Sequence, residues 1–481
     1  MNSSSPLTPA PHALPERWSR YQLSVFDNSF ERSTFITGWL VQGAIDVEAL
    51  GAALGRVTQK WRVLAGRLEA VKHPKLWQIA VPLDETLPTD YPTFVLTSSI
   101  AEVPLETFIQ LPLQTNTEAL PQSLFLHPTT PRQNADWAAR RSPLTCWHVT
   151  QFPAVGDQPA HACIGFARSH GIFDGVGAGM IMRAVAAEMA GQEWTVPPPP
   201  SEKRQENHIT SVLNAKVAGG EDTGKGQCGY RALGLPGMLG LVGWHLRERY
   251  WRGASHRVFV IPQSALTPLV EGVKAEIRTQ DSDLLVTTGD VLVAWLMKTI
   301  YSEGSSPETL AHCCNFASFR DLIPGRSLSD YIHNSFIPLP YPVLKVEEIN
   351  ALSLAEFTRR YCAARHSLNL GHVVSAHLLL SNNPICMPVH PKAQDTIVLS
   401  NVSASRILET DWSPVGSQGT ICGYRFSATP NNLVIGNSVY ISGRLGDGST
   451  VIDVNVNQTR LASVAAAVND LTQKHANTAT V

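Results

Sequence analysis

The chain has 481 residues, more than one ordinary hydrophobic core accommodates, and this length points to two or three domains. Charged residues make up only 16% against a typical value of about 25%, while apolar residues reach 43%, so a large interior is expected. A net charge of −2 excludes the strongly basic balance of a protein that binds nucleic acid, and no apolar run reaches the ~18 residues of a membrane span.

Met1 to Pro15 is rich in Ser and Pro, with neither a basic n-region nor an apolar h-region; it reads as a flexible arm and not as a signal peptide. Tyr21 to Asp27 is a short apolar run ending in an acid, and Phe35 to Gln42 reads as a strand. Asp46 is placed to cap a helix over Val47 to Trp61, in which Val47, Leu50, Leu54, Val57 and Trp61 share one face. Leu64 to Leu68 and Leu76 to Val81 suggest a hairpin, and Thr93 to Pro131 is irregular. Leu144 to Phe152 and Ala162 to Ala167 read as paired strands, followed by a helical pattern over Val176 to Met189.

Pro197 to Pro200 is a stiff step, and Ser201 to Gly229 is polar, Gly-rich and weakly patterned. The expected division is a flexible arm over 1–15, an N-terminal domain over 16–195, a crossover linker over 196–245 and a C-terminal domain over 246–481. Leu233 to Trp244 is the nearest approach to a membrane span, but it is short and interrupted by Gly234, Pro236, Gly237, Gly240 and Gly243.

Beyond it, His256 to Pro262 reads as a strand that enters a helix near Gln263 to Ile277. Thr287 to Asp290 looks like a helix start, with the acid in the first turn of a helix reaching Ile300. Cys313 to Phe319 reads as a strand ending in Arg320-Asp321, and Tyr331 to Leu339 as another strand. Helices are expected over Leu354 to Leu368 and Leu461 to Lys474. Strands are expected over Thr396 to Val402, Gly423 to Phe426, Leu433 to Ser442 and Thr450 to Val456. This mixture specifies an α/β or α+β chain.

The sharpest motif is Ser169-His170-Gly171-Ile172-Phe173-Asp174-Gly175, between the strand ending near Ala167 and the helix starting near Val176. An imidazole at such a junction can face a cavity and act as a general base near neutral pH. Asp174, four residues on, either shares a helix face with His170 or serves as a local cap. Taken alone, a His followed by an Asp at this spacing is more often a local hydrogen bond than a catalytic pair.

Other candidates carry weaker signals. The eight cysteines are scattered and lack a CxxC pair, so zinc ribbons and dithiol redox chemistry are unsupported and reduced cytosolic thiols are expected. No GxSxG elbow is present, and Cys163 is expected to pack within its strand. His372 and His377 face different sides of a helix without a third ligand, so no metal is expected. Gly175, Gly177 and Gly179 lack the spacing of a dinucleotide fingerprint. Trp244, His245, Arg247, Arg249, Tyr250 and Trp251 form a basic-aromatic cluster better suited to capping a helix C-terminus than to meeting phosphates.

The whole layout resembles the BAHD acyltransferases and the wider chloramphenicol-acetyltransferase-like superfamily, most of all the fungal members that decorate secondary metabolites. His170 to Gly175 matches the HxxxDG motif of that family. Ser24 to Asp27, Thr288 to Leu296, Phe319 to Pro324 and Asn334 add to the likeness. Where plant members carry a DFGWG loop, this chain reads Glu409-Thr410-Asp411-Trp412-Ser413-Pro414, which keeps the Asp and lacks the glycines. Where they carry a Thr-Ser-Trp-like segment, it reads Ser400-Asn401-Val402. These departures concern the subgroup and the shape of the acceptor pocket, because the loop is structural in the family.

The resemblance implies two chloramphenicol-acetyltransferase-like domains, each a mixed sheet flanked by helices, with a tunnel between them and His170 at its middle. It implies acyl-CoA, here acetyl-CoA, as co-substrate, with no bound cofactor, and a small-molecule alcohol as acceptor. His170 would deprotonate the acceptor hydroxyl and return the proton to the leaving thiolate, with no covalent acyl-enzyme. Ser400 and Asn401 are the oxyanion candidates by alignment. Asp174 would turn away from the imidazole and pair with Arg320, holding the turn together with Gly175, and the GxGxG run would pack beside the pantetheine arm. Asp411 and Trp412 would form the loop of the second motif. A cytoplasmic monomer is expected. The alternative keeps the fold and changes the reaction, to a donor-independent cyclisation or dehydration or to condensation on a carrier thioester.

Overall fold

The computed structural model describes residues 14–71, 76–198, 206–220, 229–325, 327–383, 385–430 and 436–476. Most of the expected arm, part of the polyproline step and much of the expected linker lie outside the described residues.

Two large sheets organise the chain. The first has five strands in the order Gly419–Ala428, Thr34–Gln42, His161–Ser169, Thr145–Phe152 and Val95–Ile100. Only its last pair is parallel. Its two central strands, Thr34–Gln42 and His161–Ser169, are almost wholly buried, which fits their near-continuous apolar character. The second sheet has eight strands and runs through Phe336–Pro338, Leu310–Ser318, Asp395–Asn401, Ser438–Arg444, Thr450–Val456, Ser255–Ile261 and Asn116–Glu118. Leu344–Lys345 pairs off that path with Leu310–Ala311. A three-stranded sheet contains the expected hairpin, Arg67–Val71 with Leu76–Pro82, and adds Trp18–Gln22.

The two sheets exchange strands. Gly419–Ala428 comes from late in the chain, yet it pairs along its length with Thr34–Gln42. Asn116–Glu118 comes from early in the chain and pairs with Arg257–Phe259. Separate hydrophobic cores lie against the two sheets. A third cluster, around Phe26, Ile209, Leu213, Phe319 and Val373, ties the start of the chain to helices from its middle and later parts.

Local chemistry explains the helix starts. The Asp46 side chain accepts from Ala49 N at 2.9 Å and caps Val47–Lys60, which buries Leu50, Leu54 and Val57. Thr287 and Asp290 form a reciprocal capping box at the start of Thr288–Ile300, and the buried Asp290 also takes Arg365 at 2.8 Å.

Several segments differ from their sequence reading, among them the irregular Thr93 to Pro131, which contributes the strands Val95–Ile100 and Asn116–Glu118. The weakly patterned stretch before Gly229 contains a helix, His208–Ala218, because Asn207 caps it and Ile209 and Leu213 bury in the third cluster. The expected strand over Tyr331 to Leu339 shrinks to Phe336–Pro338. Its first residues spend their backbone groups elsewhere: Tyr331 O and His333 O on Arg320, Asn334 N on Asp27, and Ser335 N on Asp174. The Gly-interrupted apolar run forms a helix, Leu235–Leu246, and no described helix is long and apolar enough to cross a membrane.

Candidate active site

A cavity of about 1240 Å³ is lined by residues of both large sheets, and His170 is among them. Phe35 comes from the first sheet; Ser400, Tyr440 and Asp453 come from the second.

His170 follows directly on the strand His161–Ser169, and its N–H donates to Ser33 O at 2.9 Å. The imidazole stacks on Phe35 with centroids 3.9 Å apart, and Phe30 lies at 4.3 Å. Nδ1 lies 3.3 Å from Phe173 O. A carbonyl can only accept, so Nδ1 carries the hydrogen and Nε2 keeps its lone pair. Nε2 has no partner among the described residues and is not sealed from the cavity. Burial, then the positive charges of Arg425 and Arg168, push the imidazole down to about 3, against the raising effect of the Phe173 carbonyl. His170 is therefore neutral at physiological pH.

Asp174 does not touch the imidazole. It is the N-cap of Gly175–Met189, where it accepts from Gly177 N at 2.8 Å. His170 stands one turn before that helix, so the two side chains do not share a helix face. Arg320 Nη2 lies 2.9 Å from Asp174 Oδ2, with both side chains buried. The same guanidinium donates to Tyr331 O, His333 O and Ser318 Oγ. Burial raises the Asp174 carboxyl, and Arg320 opposes it.

A second polar chain reaches the backbone of His170. Asn334 Nδ2 donates to His170 O at 2.7 Å, and Asn334 N and Nδ2 both donate to Asp27 Oδ1. The other oxygen of Asp27 accepts from Ser24 N at 2.8 Å and Ser24 Oγ at 2.9 Å. Burial pushes the Asp27 carboxyl up to about 7 in spite of these donors.

The glycines of the motif serve close packing. A Cβ at Gly177 would lie 2.0 Å from Ile332 O, and one at Gly179 would lie 2.6 Å from Ser405 O. At Gly175 the obstacle is the Val402 side chain.

Ser400 and Asn401 line the same cavity as His170. Asn401 Oδ1 accepts from Ser403 N at 3.1 Å and Ser403 Oγ at 2.6 Å, which fixes the amide with Nδ2 against Gly289 and without a hydrogen-bond partner among the described residues. Asp411 and Trp412 stand apart from the cavity. Asp411 accepts from Ser413 N and Oγ in a turn, and Trp412 packs edge-on to Trp39 in the core, with centroids 5.1 Å apart. Cys163 is buried in its strand with its thiol pushed up by desolvation. His372 bonds Asn369 and His377 bonds Asn214. No metal-holding cluster occurs among the described residues.

Several residues of the site escape sequence reasoning. Arg425 sits in the late strand Gly419–Ala428, its guanidinium carbon 4.8 Å from the Phe35 ring centre and 5.0 Å from that of Tyr440. His333 bridges Tyr21 Oη and Ile172 O at 2.8 Å each. Asp453, which lines the cavity, accepts from Ser442 Oγ and lies 3.3 Å from His256 Nε2. One cue was present: Arg425 is the lone charge in the apolar stretch Ile421 to Ala428.

No family model matches the chain. It is 26% identical over 396 residues to the O-acyltransferase pboC of Aspergillus ustus, covering 78% of this chain and 80% of that one. It is 24% identical over 311 residues to the acetyltransferase BOT5 of Botryotinia fuckeliana, covering 60% and 54%. Among solved structures, TRI101 of F. sporotrichioides in complex with coenzyme A and T-2 superposes with a TM-score of 0.60 at 15% identity, over 93% of this chain and 97% of that one. Vinorine synthase superposes with a TM-score of 0.53 at 11% identity, over 95% and 93%. The solved structures share the fold, a mixed α/β architecture. The sequence relatives, an O-acyltransferase and an acetyltransferase, support acyl transfer.

Proposed function

We propose that the chain transfers an acetyl group from acetyl-CoA to a hydroxyl of a lipophilic secondary metabolite, with His170 as general base. The observation that carries this reading is a neutral imidazole whose Nδ1 is tied to a carbonyl while Nε2 is left free in a large cavity. Nε2 takes the proton of the acceptor hydroxyl as its oxygen attacks the thioester carbonyl. The tetrahedral intermediate collapses, and the thiolate of CoA leaves with that same proton. Asn401 Nδ2 and Ser400 are the proposed donors to the oxyanion. Asp174 and Arg320 act as positioning residues, because they hold the turn that presents Phe173 O to Nδ1. The cavity between the two sheets serves as the tunnel, keeping water from the thioester. The enzyme is proposed to act as a cytoplasmic monomer.

The experiment is a thiol-release assay with acetyl-CoA and a panel of lipophilic alcohols. Release that depends on the alcohol and vanishes in His170→Ala, while CoA binding persists, is the expected result. Release unchanged by that substitution would remove His170 from the reaction. Conversion of a substrate with acetyl-CoA omitted would instead support donor-independent chemistry.

A further inference from the structure

The helix Leu235–Leu246 is the most unusual surface of the chain. It contains no charged residue and none of its residues is buried. Leu235, Leu239, Val242 and Leu246 are 74, 65, 52 and 49% exposed. Their spacing of four, three and four residues lines them up as a single outward stripe. Tyr250 and Trp251, 73% and 88% exposed, continue it beyond the helix end. Met238, Leu241, Trp244 and His245 line the cavity that holds His170, and Val242 and Leu246 of the stripe also contribute to its lining, whereas Leu235 and Leu239 do not. The helix is thus a thin wall, apolar on both sides, between the reaction chamber and the exterior.

Exposed apolar area of this kind on a water-soluble surface marks an interaction site, and three features select its partner. Exposed aromatic rings at the end of an apolar stripe suit the boundary between lipid tails and headgroups. Arg247, Arg249 and Arg252 cluster there against one carboxylate, Glu248, which is buried and bonded to Arg247 at 2.9 Å and Arg252 at 3.2 Å. The local surplus is therefore positive although the chain as a whole carries −2. Finally, the helix is too short to span a bilayer, so it can lie on one but not cross it.

We propose that this helix docks the enzyme on an anionic lipid surface, its stripe among the lipid tails and its arginines at the headgroups. A lipophilic acceptor dissolved in the bilayer then enters the cavity past Met238 and Leu241 without crossing water; this route, unlike the docking, rests on the acyl-transfer reading.

The test uses the full chain and sedimenting vesicles of phosphatidylcholine, with or without phosphatidylserine, in the absence of any acyl donor. The protein is expected to sediment with the anionic vesicles, less with the neutral ones, and less again at high salt. Leu235→Glu/Leu239→Glu should weaken sedimentation about tenfold or more. Both residues are exposed and outside the cavity lining, so the unfolding midpoint and turnover of a water-soluble alcohol should stay as in the wild type. Failure to sediment with either vesicle overturns the proposal, as does sedimentation indifferent to the double substitution. So does a concentration-dependent dimer dissolved by the same substitution, which would give the stripe to a second copy of the chain. Because no turnover is measured on the vesicles, failure of docking leaves the acetyl-transfer reading standing, and the reverse also holds.

Discussion

Arg320→Ala tests the physical logic of the site without touching the base. Asp174 is 2% and Arg320 7% exposed, so solvent cannot replace either partner. Removing one member of such a pair leaves an uncompensated buried charge and typically costs ~3–5 kcal/mol. The figure belongs at the upper end here, because the same guanidinium also satisfies Tyr331 O and His333 O. The loss must depend on pH. Burial already raises the Asp174 carboxyl, and Arg320 is the main influence that opposes it. Without Arg320 the folded-state pKa rises further above its unfolded value, so the folded variant binds a proton that the unfolded chain has released. The variant's stability is then best at acid pH and falls as pH rises through that gap. Denaturant unfolding at pH 5 and pH 8, each set against wild type, is the assay. The expected deficit is about 3–5 kcal/mol at pH 8 and clearly smaller at pH 5. Arg320→Lys, which keeps the charge but loses the planar fork, should fall between. A deficit below about 1 kcal/mol that is equal at both pH values would refute the buried-pair argument.

Arg425→Met removes a positive charge that helps to hold the His170 imidazole down near 3, so the imidazole pKa should rise. The acid limb of kcat/KM, expected well below the ordinary histidine value of about 6.5 in wild type, should move to higher pH; an unmoved limb would rule out this influence. Gly177→Ala sets a methyl group 2.0 Å from a backbone oxygen that cannot rotate away, and should cost ~1–3 kcal/mol in unfolding experiments. Gly272→Ala, within the helix Gln263–Gln280 and with nothing within 4 Å, is the control and should stabilise by ~0.4–1 kcal/mol.

Those elements whose reason is local were legible in the sequence. The helix after Asp46 is written in a cap and a 3.6-residue stripe, and the strands around the motif in apolar runs. The helix His208–Ala218 was not legible, because its apolar residues bury against segments far away in the chain. The strand over Tyr331 to Leu339 was misjudged for the converse reason: its composition favours a strand, but its backbone groups are claimed by Arg320, Asp27 and Asp174. At the site, His170 and Asp174 stood out as a motif at a strand-to-helix junction, and Arg320 followed from the family resemblance. Arg425 could not be tied to the imidazole, since that relation depends on the strand exchange that brings Gly419–Ala428 beside Thr34–Gln42, and Phe35 reaches the imidazole only through the pairing of Thr34–Gln42 with His161–Ser169.

The surroundings of His170 bear on how it could serve as the proposed base. An imidazole buried this deeply loses much of its affinity for a proton, and two nearby guanidinium groups lower it further. The chain does not offset this with a carboxylate at Nδ1; it turns Asp174 toward Arg320 and leaves a backbone carbonyl as the imidazole's partner. A carboxylate at Nδ1 would favour the imidazolium and raise the imidazole pKa. A carbonyl fixes the tautomer and raises that pKa without bringing a full negative charge. The rigidity that a carboxylate would have supplied comes instead from the backbone: Asn334, itself held by Asp27, donates to His170 O, Ser33 O takes its N–H, and the Asp174–Arg320 pair holds the end of the turn. His170 is thus oriented by residues that hold the main chain around it, and its side chain stays neutral, as the proposed proton transfer requires.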